Sequence, residues 1–275
     1  MIPYLHIQAW RAEAPWADDL MVEQDLIISR ALVEIYSRPA LAERLAFRGG
    51  TALHKLYFRP GARYSEDIDL VQMSPGPIGV TLDQLKEALD PWLGSPRRKF
   101  KEGRVNLEYR FASETAPPCP MRLKVEINSR EHVAVLGHER VPFEVRSPWF
   151  AGAAALTTFT LDELMGTKLR ALYQRKKGRD LFDVAMALER GADPDRIIAC
   201  FTRYMTEGGH RVTRAMFEQN LHEKRARDVF RADLLPLLRP GLVWDAEAAL
   251  TRVLGDLVAR LPGEPWAGAE HGEGG

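Results

Sequence analysis

The chain has 275 residues, 45% of them hydrophobic and 28% charged, a composition typical of a folded globular protein with one or two domains. Lys plus Arg equals Asp plus Glu at 38 each, so the net charge of zero excludes a global electrostatic signal for nucleic acid or membrane. Two cysteines are too few for a disulfide framework, and no long apolar run or export signal is recognisable, so we expect a cytoplasmic protein without a membrane span.

The first half of the chain alternates helix and strand signals. Apolar residues recur with helical spacing between Asp18 and Tyr36, and RLAF then predicts a short strand that runs into Gly49 and Gly50. TALHKLYF predicts a helix directly after the glycines. Alternation of polar and apolar residues predicts three further strands, in SEDIDLVQ, RVNLEYRF and RLKVEIN.

The second half is predicted to be helical. VPFEVRSPWF closes the strand-rich part, and Thr160 with Glu163 forms a capping box that opens the helix LDELMGTKLRALYQR. The sequence therefore predicts an α/β (α+β) domain with a mixed sheet over residues 1–150 and a helical domain over 151–261. The Gly-rich residues 262–275 are predicted to be a disordered tail.

Two carboxylates lie on one face of the strand SEDIDLVQ. Because successive side chains of a strand point to opposite faces, Ser65, Asp67 and Asp69 share a face while Ile68 and Leu70 pack on the other. The same alternation in KVEIN places Glu126 on the polar face of a second strand. Carboxylates held side by side repel unless a cation lies between them, and hard oxygen ligands suit Mg²⁺ or Mn²⁺. Such a triad can hold metal ions for phosphoryl or nucleotidyl transfer if the strands are neighbours.

The glycine pair precedes this strand by a short interval. A strand, the turn Gly49-Gly50-Thr51 and a helix beginning at Thr51 would aim backbone N–H groups at one point, which favours a phosphate. Glycine is expected there because a Cβ would block close approach of the ligand. Each motif alone has an ordinary explanation: a charged solvent face of a strand, or a simple strand-to-helix turn. Their combination is more specific than its parts.

These motifs resemble the nucleotidyltransferases of the DNA polymerase β type, with a Gly-Gly-Ser or Gly-Ser turn, Asp-x-Asp and a third acid on a later strand. More closely, FRGGTALHKLYF, RYSEDIDL, KVEIN and TKLRALYQRKKGRDLFDV resemble the AbiEii/AbiGii family of nucleotidyltransferase-like toxins from type IV toxin–antitoxin and abortive-infection systems. The resemblance implies a polymerase β-like core in which Gly49, Gly50 and Thr51 bind phosphate. It also implies that Asp67, Asp69 and Glu126 bind metal, with Glu126 acting either as a ligand or as the base toward the acceptor hydroxyl. Ser65 is a further candidate nucleotide-binding residue. Thr51 stands where the broader superfamily usually has serine, and the hydroxyl is kept.

The block after Glu163 matches the second signature of that family. The resemblance implies that Lys168 contacts the nucleotide triphosphate and that Asp183 completes the site in the helical domain. From spacing alone, Lys168 and Arg175 could share a cationic face, with Arg179 beyond a helix break at Gly178. The alternatives are an i,i+4 surface pair between Arg179 and Asp183, and a helix-start position for Asp180.

The resemblance implies transfer of a nucleoside monophosphate from an NTP to RNA, with the tRNA 3′ end as the candidate acceptor, release of pyrophosphate, and an antitoxin as protein partner. Transfer to a protein or small molecule remains open, as does a non-catalytic nucleotide-binding module. Two basic runs, RRKFKEGR and HRVTRAMFEQNLHEKRAR, could follow a polynucleotide backbone, although a solvated charged surface is the usual role of such runs.

Overall fold

The computed structural model describes residues 2–115 and 117–268, apart from the side chain of Arg231. Within them the chain forms two compact units. The first unit runs to Thr160 and includes Leu238–Leu242. The second comprises Leu161–Leu237 and the chain from Val243 onward. The predicted boundary at residue 150 therefore falls inside the first unit.

The first unit contains both helices and strands. Its α-helices are α1 (Tyr4–Trp10), α2 (Asp19–Tyr36), α3 (Pro39–Ala42), α4 (Gly49–Ala52) and α5 (Gly79–Leu93), with a π-helical segment at Leu53–Tyr57 after α4. Its strands are β1 (Leu45–Arg48), β2 (Asp67–Gln72), β3 (Arg97–Lys101), β4 (Arg104–Ala112), β5 (Pro120–Asn128), β6 (His138–Arg146) and β7 (Ala151–Phe159). The predicted strands are confirmed. The helix predicted from Thr51 starts two residues earlier, at Gly49, and consists of one α-helical turn followed by the π-helical segment.

The strands of the described residues form one seven-stranded mixed sheet in the order β3-β4-β5-β2-β1-β7-β6. β2 pairs parallel with β5, and β1 pairs parallel with β7. The remaining neighbours are antiparallel. The mixed sheet with flanking helices confirms the predicted α/β class.

The two faces of the sheet differ in polarity. Along β2, β4 and β5 the alternate residues Ile68, Leu107 and Val125 are completely buried. Helix α5 packs against β4 on this apolar face, where the Tyr109 hydroxyl donates a hydrogen bond to Asp90. Most of the intervening residues of the same strands are polar, and Asp67, Asp69 and Glu126 share the opposite face, as their alternation predicts.

Strand β7 was not predicted. Its sequence, AGAAALTTF, shows no polar and apolar alternation, and its place depends on pairing with β6 and β1. The hydroxyl groups of Thr157 and Thr158 donate to the backbone carbonyls of Ala42 and Phe47, each at 2.7 Å. Long-range pairing therefore moves the end of the first unit to Thr160.

The second unit is helical in its described part. Its α-helices are α6 (Leu161–Gln174), α7 (Gly178–Glu189), α8 (Pro194–Glu207), α9 (Arg214–Arg225), α10 (Asp228–Ala232) and α11 (Ala246–Asp256), with 3-10 turns at Leu235–Leu237 and Val258–Arg260. Helix α6 begins directly after Thr160, as the capping box predicts. No helix among the described residues is long and apolar enough to cross a membrane.

The predicted tail is partly ordered. The backbone N–H of Trp266 donates to Glu218 at 2.6 Å, and its ring packs against His222 with centroids 4.9 Å apart. Residues 262–268 therefore include a packed segment, whereas residues 269–275 lie outside the described part of the chain.

Candidate active site

The glycine turn is in direct contact with the Asp-x-Asp strand. β1 ends at Arg48 and α4 begins at Gly49, whose φ of +82° lies in the left-handed region that favours glycine. A Cβ at Gly49 would also overlap the carboxylate of Asp69. The sequence predicted that glycine leaves space for a ligand. The structure adds a second reason, since the space beside Gly49 is filled by a carboxylate of the chain.

A buried arginine lies against the second glycine. A Cβ on Gly50 would come within 2.6 Å of the Nη2 atom of Arg63, which is 1% exposed. Sequence reasoning missed Arg63, because the two residues are brought together only by the fold. Its guanidinium places a positive charge beside the first turn of α4, where the backbone N–H groups already favour an anion.

Thr51 connects the turn to the strand that carries the acids. Its hydroxyl donates to the Asp67 backbone carbonyl and lies 2.9 Å from the Ser65 hydroxyl. Thr51 is buried, and Ser65 lies just before β2. The two predicted nucleotide-binding hydroxyls are thus adjacent, and their bonds hold the turn in position against β2.

The three predicted metal ligands are brought together on two neighbouring strands. In the parallel pairing of β2 with β5, Asp69 is the register partner of Glu126, and Asp67 is the partner of Lys124. On the other side of β2, Asp69 is paired with Arg48 of β1. The register thus places Asp67, Asp69 and Glu126 side by side on the polar face.

The electrostatics of the three acids differ. Burial raises the pKa values of Asp67 and Asp69; Lys124 counteracts it at Asp67 and Arg48 at Asp69, while the neighbouring carboxylates act in the same direction as burial. Burial also acts to raise the pKa of Glu126, but the hydrogen bond from Lys124 and the nearby cations outweigh it and hold the pKa below the ordinary value. Additional positive charge at the Asp67–Asp69 pair would therefore be favourable.

Lys124 supplies part of that charge and was not predicted as a site residue. Its Nζ atom lies 2.8 Å from Oε2 of Glu126 and 3.6 Å from Oδ2 of Asp67. The alternation of KVEIN already placed Lys124 on the polar face, so the signal was present in the sequence. Its position between two carboxylates depended on the register of β2 with β5.

The donor atoms fit a hard divalent cation. Carboxylate oxygens are the ligands that Mg²⁺ and Mn²⁺ prefer, and the repulsion within the acidic set would be relieved by such an ion. The described residues contain no group of three His, Cys, Asp or Glu side chains arranged to hold a metal as they stand. The ammonium of Lys124 occupies the space between two of the predicted ligands.

A cavity of about 200 Å³ lies beside the glycine turn. Thr51, Ser65 and Arg63 contribute to its wall, together with Lys55, whose Nζ atom lies 2.5 Å from Oδ1 of Asp25. Burial lowers the pKa of Lys55, and the Asp25 carboxylate counteracts that effect. This internal ion pair fixes the π-helical segment against α2 behind the proposed phosphate turn.

In the second unit, Lys168 and Asp183 are direct partners. Nζ of Lys168 lies 2.8 Å from Oδ2 of Asp183 and 3.2 Å from Oδ1 of Asp180. The Lys168 side chain is 8% exposed, and both aspartates are fully buried. Arg175 also donates to Asp180, at 2.7 and 2.9 Å. The second family signature thus forms a buried cluster, and the predicted contact of Lys168 with a triphosphate stays a prediction.

Of the two structural alternatives for this block, the Arg179–Asp183 surface pair is absent from the described part of the chain and the helix-start position of Asp180 is present. Arg179 does not form the surface pair with Asp183 that its spacing allowed, since it lies 3.3 Å from Asp233. Asp180 does lie in the first turn of α7, where a carboxylate is favourable. Its main contacts are nevertheless the cations Lys168 and Arg175.

Comparison with known proteins identifies the family. The profile described as "Nucleotidyl transferase AbiEii toxin, Type IV TA system" matches residues 30–252. The chain belongs to the AbiEii family. This confirms the resemblance of its motifs and makes the chain a nucleotidyltransferase toxin of a type IV toxin–antitoxin system, with an NTP substrate and an antitoxin.

Solved structures share the fold of this AbiEii-family chain. MenT4, a nucleotidyltransferase toxin from Mycobacterium tuberculosis, is 18% identical with a TM-score of 0.68, covering 95% of this chain and 91% of that one. JHP933 from Helicobacter pylori is 15% identical with a TM-score of 0.52, covering 88% and 91%. A search of curated proteins gives no match. At these identities the structural likeness supports the fold.

Proposed function

We propose that this AbiEii-family chain is a divalent-metal-dependent, cytoplasmic enzyme that transfers a nucleoside monophosphate from an NTP to an RNA 3′ end, with that of tRNA as the candidate acceptor, and releases pyrophosphate. One observation carries the proposal: Asp67, Asp69 and Glu126 lie together on two adjacent strands, and Asp69 touches the glycine turn. This arrangement joins a phosphate-binding element to a set of metal-binding carboxylates.

Different groups of the protein would bind the NTP phosphates and the metal ion. The first turn of α4 and the guanidinium of Arg63 favour the NTP phosphates at Gly49 and Gly50, while Thr51 and Ser65 hold the turn on β2. Asp67 and Asp69 would hold Mg²⁺ or Mn²⁺. A divalent ion bound there would polarise the reacting phosphate and offset its developing charge.

Glu126 fits the role of ligand better than that of base. The hydrogen bond from Lys124 holds the pKa of Glu126 low against the effect of burial, and a carboxylate with a lowered pKa is a weaker proton acceptor. The resemblance to the family keeps Lys168 and Asp183 in the proposal as nucleotide contacts. Their burial gives each of them a structural role as well.

Labelled NTPs incubated with total RNA and purified protein test the proposal. We expect label in RNA with Mg²⁺, and none when the metal is removed with EDTA. Asp67→Asn should abolish labelling, whereas Glu66→Gln, which changes the exposed neighbouring acid, should not.

The destination of the label decides among the alternatives. Label in the protein fraction or in a small molecule would identify a protein or a small molecule, instead of RNA, as the acceptor. Nucleotide binding without any transfer would favour the non-catalytic alternative. Undiminished labelling by Asp67→Asn would refute the assignment of the metal ligands.

A further inference from the structure

The basic sequence RRKFK forms strand β3 at one edge of the sheet. β3 pairs with β4 only, and all five of its residues are exposed. Its composition, four cations around Phe100, contrasts with the zero net charge of the chain. A charged edge strand protects a sheet from edge-to-edge association, so this composition has an ordinary structural benefit. The register of β3 with β4 also aligns some of these cations with the acidic residues of the sheet.

Every second residue of β3 lies on the face that carries the carboxylates. Lys99 is opposite Asn106 of β4, Asn106 is opposite Glu126 of β5, and Glu126 is opposite Asp69 of β2. Directly paired residues point to the same face of a sheet. Lys99 therefore shares a row with two of the proposed metal ligands. Arg97 shares the adjacent row with Lys124 and Asp67 by the same pairing.

The distance between the basic strand and the acids follows from the spacing of strands. Neighbouring strands lie about 4.8 Å apart, so the backbone at Lys99 is roughly 10 Å from Glu126 and roughly 14 Å from Asp69. Consecutive phosphates of one nucleic-acid strand advance about 3.4 Å along a duplex axis. A polynucleotide end at the acids would thus have its next few phosphates over β3 and β4.

Cations outnumber acids on this flank of the polar face. The cations of β3, β4 and the start of β5 on this face are Arg97, Lys99, Lys101, Arg104, Arg110 and Arg122. Glu108, the acid among them, is already contacted by Arg110 at 2.6 Å and by Lys99 at 3.9 Å. The side chains of Lys99 and Arg104 remain 48% and 57% exposed. The flank is therefore positive and open to a ligand.

We propose that Arg97, Lys99, Lys101 and Arg104, here called the basic face, bind the phosphate backbone of the RNA acceptor and direct its 3′ end to the carboxylates. The inference rests on the proposed function for the identity of the acceptor. Cations at alternate positions of a strand recur about every 6.7 Å, which suits a ligand with regularly repeated negative charge. RNA meets that requirement along its whole length. An acidic protein segment has regularly repeated negative charge only where its own sequence repeats acidic residues.

The test uses the full-length protein and fluorescently labelled tRNA without NTP, so that binding is read separately from transfer. Lys99→Ala/Lys101→Ala removes two cations of the basic face. Arg98→Ala is the matched control, because Arg98 is an exposed cation of the same strand on the opposite face. Circular dichroism checks that all variants are folded.

We expect the double variant to bind tRNA about tenfold more weakly, since one exposed ionic contact contributes up to about fivefold. The slope of log affinity against log salt should become shallower by about 1.4, or about 0.7 for each phosphate contact with a single strand. In the transfer assay the KM for RNA should rise while the KM for NTP stays the same. Arg98→Ala should match the wild type in every measurement.

Equal affinities and salt slopes for the double variant and Arg98→Ala would overturn the inference, as would a wild-type protein that binds no tRNA. If the double variant loses the antitoxin but keeps tRNA, the basic face is a protein-binding surface and the inference fails. Failure of the proposed function looks different. The wild type would then bind tRNA through the basic face but label none, and the binding part of the inference would stand.

Discussion

The substitution Lys168→Met tests whether the second family signature has a structural role. The Lys168 ammonium lies between the buried carboxylates of Asp180 and Asp183, and the methionine keeps most of the length of the side chain while removing its charge. Asp180 would keep Arg175 as a partner. The ion pair between Lys168 and Asp183 would be removed inside the protein.

The expected loss of stability is large. Removing one partner of a buried ion pair typically costs about 3–5 kcal/mol, because a charge stays buried without compensation. Whole proteins are stable by only about 5–15 kcal/mol. A substitution at Lys168 chosen from sequence alone would be expected to leave the fold intact. The buried cluster predicts instead that lost activity in Lys168→Ala would partly reflect lost stability.

Urea denaturation at pH 7 measures the effect. Lys176→Met is the control, since it removes a lysine from an exposed position just beyond α6. The double variant Lys168→Met/Asp183→Asn should recover part of the loss, because it removes the charge of Asp183 together with that of Lys168. A coupling between the two substitutions of about 1–3 kcal/mol is expected for residues in contact.

The pH dependence gives an independent check. Burial acts to raise the pKa of Asp180, but Lys168 and Arg175 outweigh it and hold the pKa below the ordinary value. A lowered folded-state pKa contributes stability above the unfolded value of about 4, and this stability is lost as the pH falls through the folded value. The gap between wild type and Lys168→Met should therefore narrow at acidic pH. Equal stability of Lys168→Met and Lys176→Met at pH 7 would refute the reasoning.

Three further predictions concern the first unit. Gly49→Ala should cost more stability than Gly191→Ala, because both positions have positive φ but only a Cβ at Gly49 would also strike a carboxylate. At each position the positive φ costs alanine about 1 kcal/mol of stability, and at Gly49 the overlap of the new Cβ with Asp69 adds about 1–3 kcal/mol. Urea denaturation of the two variants measures the difference. Asp69→Asn should abolish labelling of RNA without lowering the melting temperature, since it relieves repulsion; an unfolded variant would contradict this. Burial raises the pKa of Glu23 to about 7, so wild-type stability should fall as the pH rises from about 5 to 8, and Glu23→Gln should remove that dependence.

The sequence determined which residues of the acid-bearing strands point the same way. Side-chain direction in a strand alternates locally, so the pattern of SEDIDLVQ and KVEIN placed Asp67, Asp69 and Glu126 on polar faces before any pairing was known. The glycine pair marked a strand-to-helix turn for an equally local reason. A left-handed φ is accessible to glycine at little cost, and Gly49 has one.

Only the tertiary structure decided which of these local features meet. The pairing of Asp69 with Glu126, the position of Lys124 between two acids and the approach of Arg63 to Gly50 all depend on contacts between segments far apart in the chain. The same is true of β7, whose alanine-rich sequence has no strand periodicity of its own, and of Lys168, which an amphipathic pattern could not distinguish from an exposed cation. Register and burial arise from packing of the whole chain, and a local pattern of residue types contains neither.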